Sequence, residues 1–223
     1  MAQFWAGVLG REVYDEADGG VGLLPREVTA FRLRFLPSDA EKIVPNQMHF
    51  DLASQSLEEQ QATVSRAVEL GGRHIDVGQL PEEEHVVLAD PEGNEFCVIE
   101  AGNNFLAGCG FIGAVSSDGS QEVGYFWSKA LEWPLVWDQD EETAIQSPYG
   151  GTKITWGGPP FQPKPAKNRL HFDLAPPADG DQQAEVDRLI SLGATRIDIG
   201  QGDVSWVVMA DPDGNEFCVL TPR

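Results

Sequence analysis

The spacing of apolar and polar residues along this chain predicts strands and helices. In the run Met48–Leu52, three apolar side chains alternate with His49 and Asp51, so the two sets point to opposite faces of a strand. Ser56 then begins a capping box and opens a helix, which Gly71 ends. We expect the apolar face of the strand to pack on helices, which leaves His49 and Asp51 on the other face.

This pattern occurs twice in the chain. The segment 89–98, Ala-Asp-Pro-Glu-Gly-Asn-Glu-Phe-Cys-Val, returns at 210–219 with a single Glu-to-Asp difference. Proline presets φ and glycine accepts a positive φ, so the apolar runs on both sides of the turn predict a β-hairpin in each copy. His49 recurs as His171, 122 residues later, and Phe4-Trp5 recurs as Phe126-Trp127 at the same distance. A shared offset over most of the chain indicates an internal duplication.

The duplication predicts two domains, 1–104 and 105–223, each of a size that can bury its own core. Met1 aligns with Val123, so the first domain begins inside its first helix and has no counterpart of the strand predicted over 109–115. Open strand edges are a liability in folded proteins. We therefore expect this edge to be covered by the linker, by the second domain or by a second subunit in a homodimer.

The charge and the cysteine content of the chain limit which partners and which cellular compartment the sequence favours. The chain has 36 acidic and 15 basic residues, a formal net charge of −21, which disfavours nucleic acid and anionic membranes. No apolar stretch approaches the roughly 18 residues of a membrane span, and we expect no signal peptide. Three cysteines without a C-x-x-C pair fit a reducing compartment. We therefore expect a cytoplasmic protein whose partner is a small molecule.

Together, these motifs resemble a known superfamily. Paired βαβββ modules, a helical Phe-Trp, a strand Asn-x-x-His-Phe-Asp-Leu and the closing Asp-Pro-(Asp/Glu)-Gly-Asn hairpin are similar to the vicinal oxygen chelate superfamily, and most to its bacterial glyoxalase-like branch. The resemblance implies an α+β fold of two tandem glyoxalase-like domains, the first lacking its initial strand. The superfamily contains glyoxalase I, extradiol dioxygenases, fosfomycin-modifying transferases and bleomycin-binding resistance proteins without catalysis, so the fold does not fix the function.

The resemblance also implies where a metal would bind. Enzymes of that superfamily hold a divalent ion through a His or Gln on the first strand, a His on the fifth and a Glu on the last. The fifth-strand histidine is present as His49 and His171, but Cys97 and Cys218 stand at the glutamate position and Phe111 at the first-strand position. Zinc, iron and manganese sites need about three protein ligands. The prediction is no metal and no cofactor at the usual position.

A metal site with different ligands is the alternative to a metal-free cup. Glu95 and Glu216 share strand parity with the cysteines, so a rearranged His-Glu-Cys site is also consistent with the sequence. The cysteines themselves have no basic neighbour in sequence that would lower the thiol pKa. We interpret them as small buried apolar residues rather than nucleophiles.

The predicted pocket lies in the second domain. Trp133, Trp137, Trp156 and Trp206 have no aromatic partner at the repeat positions, which indicates a role that the first domain does not share. Repacking of the core or an aromatic domain interface would also explain them. The residues that we expect to contact a ligand are Trp156, Trp206, Tyr149, His171, Cys218 and Glu216.

Three functional hypotheses follow. The first is a metal-free cup that binds a hydrophobic or aromatic molecule, in sequestration or resistance. The second is an enzyme, a lyase, isomerase or dioxygenase, which either uses rearranged metal ligands or works without metal through His171 and Asp173 as acid and base. The third is a largely structural or regulatory module, with the first domain as a degenerate partner. A purely structural role of the histidines, bonded to aspartate or backbone, is the alternative to a role in ligand contact.

Overall fold

The computed structural model describes residues 1–16, 19–26, 31–80 and 82–223. The helices are α1 (Ala2–Leu9), α2 (Leu57–Glu69), α3 (Gln121–Leu131) and α4 (Gln182–Ser191). The strands up to the middle of the chain are β1 (Val13–Asp15), β2 (Val21–Leu23), β3 (Leu33–Phe35), β4 (Met48–Leu52), β5 (Arg73–His74), β6 (Val86–Ala89) and β7 (Glu95–Val98). The remaining strands are β8 (Ile112–Ser117), β9 (Leu135–Gln139), β10 (Glu142–Gln146), β11 (Lys153–Trp156), β12 (Phe172–Leu174), β13 (Thr195–Arg196), β14 (Val207–Ala210) and β15 (Glu216–Val219).

The predicted α+β class is confirmed, and the local signals begin the helices as expected. The Ser56 hydroxyl accepts a hydrogen bond from the Glu59 amide at 3.1 Å, so α2 starts one residue after its cap. The Glu59 carboxylate accepts in turn from the amide of Gln55. Asp181 caps α4 in the same way, through the amide of Ala184. None of the described helices combines the length and the apolar character needed to cross a membrane.

The chain divides into two compact units, each made of several segments. The first unit contains Met1–Pro45, His49–Ser116 and Gln146–Ile154. The second unit contains Asn46–Met48, Ser117–Ile145 and Thr155–Arg223. The domain boundary placed at 104 stays a prediction.

In the first unit, no strand precedes the first helix among the described residues, in agreement with the prediction. The first element is helix α1, and the sheet after it has three strands in the described residues, in the order β1-β2-β3. The next module is complete: β4 pairs in parallel with β7, and β7 pairs antiparallel with β6. Strand β8 lies on the other side of β4, so β4 is an interior strand of its sheet.

In the second unit, the last module repeats this arrangement with one difference. Strand β12 pairs in parallel with β15, and β15 pairs antiparallel with β14. The sheet order is β12-β15-β14-β13, so in the part of the chain that the structure describes β12 is an edge strand where its repeat partner β4 is not.

A buried aspartate joins helix and hairpin in both units. In the first, Asp90 is fully buried and accepts from the indole Nε1 of Trp5 at 3.2 Å and from the amide of Asn94 at 2.9 Å. In the second, Asp211 accepts from Trp127 Nε1 at 3.2 Å and from the amide of Asn215 at 2.9 Å. The hairpin turn is therefore fixed to the helix that covers its sheet.

Each tryptophan also lies in an aromatic cluster. Trp127 meets Phe126, Phe172 and Phe217 with ring centroids 5.1–5.3 Å apart and steep interplanar angles. Such edge-to-face packing stabilises a core beyond the burial of its area. The apolar side chains of β12 and β15 therefore face the helix, as the alternation predicted.

We expect Asp211→Ala to lower the free energy of unfolding by about 2–3 kcal/mol, because it leaves buried donors on Trp127 and Asn215 without an acceptor. Urea denaturation followed by circular dichroism measures this. Asp203→Ala, at an exposed position in the same unit, is the control and should change stability by less than about 0.5 kcal/mol. Equal stabilities of the two variants would contradict the prediction.

Stability should also depend on pH through Asp211. Burial raises the pKa of the Asp211 carboxyl from 3.8 to about 6, against the opposing effect of the hydrogen bonds from Asn215 and Trp127. The folded state binds this proton more tightly than the unfolded state, so the contribution to stability is fully present below about pH 4 and is lost as the pH rises through about 6. From about pH 4 to about pH 7, wild type should lose about 2 kcal/mol relative to Asp211→Asn. Urea unfolding of both proteins at several pH values tests this, and parallel pH profiles would refute it.

Candidate functional site

The first unit brings together a histidine, an aspartate and a cysteine on one sheet face. His49 and Asp51 lie two residues apart on β4, and the β4–β7 register places Cys97 beside Asp51. His49 Nε2 lies 3.3 Å from Asp51 Oδ1. One candidate ligand atom from each of the three residues lies within 4.8 Å of the others. We call these three residues the first-unit cluster.

The second unit repeats this group in His171, Asp173 and Cys218, the second-unit cluster. The β12–β15 register places Asp173 beside Cys218, and His171 Nε2 again lies 3.3 Å from Asp173 Oδ1. The same 4.8 Å limit holds for the ligand atoms of this cluster. The alternation of side chains along β4 and along β12 therefore brings the same three residue types together in both units.

In the first-unit cluster, the aspartate is hydrogen-bonded to a residue of β8. The Ser116 hydroxyl donates to Asp51 Oδ2 at 2.5 Å. Next to it, Ala53, Leu106 and Ala114 form a small buried apolar cluster. The Asp51 side chain is 15% exposed and Asp173 is 27% exposed, whereas His49, at 35%, is no more buried than His171, at 30%. The strand beside β4 thus supplies the hydrogen-bond donor Ser116 and one of these three apolar residues, Ala114.

The second-unit cluster adjoins an apolar wall. Val208, Cys218 and Leu220 are buried together, with Ile197 and Trp206 packed against them. The β14–β15 register pairs Val208 with Cys218, and Trp206 directly precedes β14. Polar groups on β12 and an indole on the β14 side therefore share one face of this sheet.

The surroundings of Cys97 support its interpretation as a buried apolar residue rather than a nucleophile. Burial, and then the neighbouring Asp51 carboxylate, raise the pKa of the Cys97 thiol well above its ordinary value. A thiol in this setting stays protonated at neutral pH and is a poor nucleophile.

The sequence analysis missed an ion pair beside each cluster. Lys42 Nζ lies 2.5 Å from Glu95 Oε1, and Lys164 Nζ lies 2.7 Å from Glu216 Oε1. Glu216 also accepts from the amide of Asn168 at 3.2 Å. The two lysines are 122 residues apart, so the repeat offset could have identified them. A rearranged His-Glu-Cys metal site would have to break these pairs.

Two other predicted pocket residues lie elsewhere. Trp156 is only 2% exposed, and it packs so closely that a Cβ added to Gly119 would lie 2.7 Å from its ring. Tyr149 is 87% exposed and belongs to the first unit. The structure therefore groups His171, Cys218 and Trp206, together with Asp173 and the paired Glu216, and does not add Trp156 or Tyr149 to that group. Their contact with a ligand stays a prediction.

The donors of each cluster are of the types that zinc accepts, a histidine nitrogen, a carboxylate oxygen and a cysteine sulfur. Zinc holds such atoms at about 2.0–2.3 Å, and the candidate atoms of each cluster all lie within 4.8 Å of one another. If a metal binds this chain, these are the residues that would hold it.

We expect well under one zinc, manganese or iron ion per chain after purification with those metals supplied. In the first-unit cluster, Asp51 already accepts from Ser116, and in both clusters the histidine lies against the aspartate. Plasma emission spectroscopy measures the metal content. One ion per chain would contradict the expectation, and its loss in His49→Ala or His171→Ala would show which unit binds it.

Comparison with known proteins gives the family and the fold. A family model described as "Glyoxalase-like domain" matches residues 1–99 and 114–220. Among solved structures, glyoxalase I from Zea mays is similar with a TM-score of 0.62 and 13% identity, over 99% of this chain and 86% of that chain. A proposed dioxygenase from Bacillus subtilis gives a TM-score of 0.62 and 14% identity, over 98% and 79%. No curated protein matches the chain. The identities to these structures are low, so they show a shared fold alone.

Proposed function

We propose that this chain, which belongs to the glyoxalase-like domain family, binds a small hydrophobic or aromatic molecule on the β12-β15-β14 face of its second unit. One observation carries the proposal: the same His-Asp-Cys cluster is built twice, and Ser116 of the neighbouring strand bonds to the aspartate of the first copy, whereas the second copy lies on an edge strand among the described residues. The second copy has Trp206 nearby instead. Its function would be sequestration of the ligand, or resistance to it, without a metal.

The composition of this face is that of a ligand site. Apolar and aromatic walls with a few polar groups are typical of small-molecule pockets. The indole of Trp206 and the buried Leu220 supply the apolar part, and His171 and Asp173 supply the polar part. Neighbouring strands lie about 4.8 Å apart, so the backbones of β12 and β14 are roughly 10 Å apart, a span that suits a two-ring molecule.

A second candidate is acid–base catalysis on the same face. The 3.3 Å distance between His171 Nε2 and Asp173 Oδ1 is the observation that favours it, since a carboxylate can orient an imidazole that transfers a proton. A lyase or isomerase reaction would fit such a pair. Turnover that is lost in His171→Ala but not in His49→Ala would support this candidate over simple binding.

We expect Trp206→Ala to weaken the binding of a naphthalene probe, 2-naphthalenemethanol, at least tenfold, or about 1.4 kcal/mol. The substitution removes the aromatic surface at this face, where the indole packs against Val208, Cys218 and Leu220. Binding is followed by quenching of tryptophan fluorescence, and by calorimetry for the variant.

The matched control is His85→Ala, because His85 holds the repeat position of Trp206 in the first unit. This variant should bind the probe within about twofold of wild type. If His85→Ala weakens binding and Trp206→Ala does not, the site lies in the first unit and the proposal fails.

A further inference from the structure

We infer that the ligand of the second unit carries a hydroxyl or ammonium group that donates a hydrogen bond to Asp173. In this role the ligand replaces the serine that donates to Asp51 in the first unit. The inference rests on the proposed function, since it names the chemical class of molecule that would bind the same face.

The first unit shows how such an aspartate is satisfied. One oxygen of Asp51 faces His49 Nε2 at 3.3 Å, and the other accepts from the Ser116 hydroxyl at 2.5 Å. Ser116 lies on β8, the strand beside β4. Both carboxylate oxygens therefore have a donor or a histidine nitrogen close by.

The second unit keeps the histidine and lacks the serine. Asp173 stands in the same register on β12 and faces His171 Nε2 at the same 3.3 Å. No strand follows β12 at this edge of its sheet among the described residues, so no described strand supplies a counterpart of Ser116 beside Asp173. The side chain is 27% exposed, so an incoming donor can reach it.

The negative charge of the site determines which donor group of the ligand should bind most tightly. A hydrogen bond to an ionised carboxylate is roughly twice as strong as one between two neutral groups. A cationic donor adds the attraction between opposite charges. The chain also has a net charge of −21, which raises the local concentration of cations and lowers that of anions. We therefore assign the site to a flat apolar molecule with a primary ammonium group, with the corresponding alcohol bound less tightly and a carboxylate least.

Four naphthalene probes that differ in one group test the assignment by calorimetry: 2-(aminomethyl)naphthalene, 2-naphthalenemethanol, 2-methylnaphthalene and 2-naphthoic acid. We expect the amine to bind at least about tenfold more tightly than the methyl compound, and the acid to bind most weakly. Added salt should weaken the amine and leave the alcohol nearly unchanged, because salt screens charge.

Asp173→Asn is the decisive variant, since it keeps the shape of the side chain and removes its charge. It should weaken the amine about tenfold or more and leave the methyl compound within about twofold. Asp51→Asn is the matched control and should change neither, because Asp51 is bonded to Ser116.

The outcomes separate the two proposals. Equal binding of the amine and the methyl compound, or an amine affinity unchanged in Asp173→Asn, would overturn the assignment of a donor group. In that case a loss of binding in Trp206→Ala would still support the proposed binding face. Failure of all four probes to bind wild type would overturn both.

Discussion

The fold depends on a buried aspartate at each hairpin turn that accepts a hydrogen bond from a helical tryptophan. Asp90 and Asp211 organise their own turns through backbone amides and then use the remaining oxygen to bind Trp5 and Trp127. A buried carboxylate without such donors would strongly destabilise the protein. The aspartate therefore sets the position of the helix over the sheet, and the aromatic rings around the tryptophan complete the core on that side.

The aspartate and the aromatic rings determine which side chains of each sheet face the helix. The side chains that alternate with them therefore face the opposite side. Side chains alternate along each strand, so Phe50 and Phe172 pack in the core, and His49 and His171 lie on the other face. Parallel pairing with the last strand of the module then places a cysteine beside each aspartate. The two clusters are a direct consequence of the duplicated packing, which explains why their internal distances agree.

The two copies differ in what lies beside them. In the first unit, β8 adds a serine to the cluster and apolar residues next to it, so the group is satisfied by the protein itself. In the second unit, β12 ends its sheet and an indole flanks the cluster. A duplicated protein can keep one copy for stability while the other copy binds a ligand, and the differences between these clusters are consistent with that division.

The sequence by itself determined the duplication, the α+β class, the helix at the start of the first unit and the shared strand face of histidine and aspartate, because these follow from offset, alternation and turn chemistry. It also indicated that Trp206 distinguishes the second half. It did not reveal that the tryptophans bond to the turn aspartates, that Lys42 and Lys164 neutralise Glu95 and Glu216, or that Trp156 is enclosed in the core. Only the tertiary structure decided these points, and it alone showed that Ser116 covers one cluster. The physical reason is that contacts between residues 65 or 85 positions apart depend on which strands become neighbours, and local sequence patterns do not encode that choice.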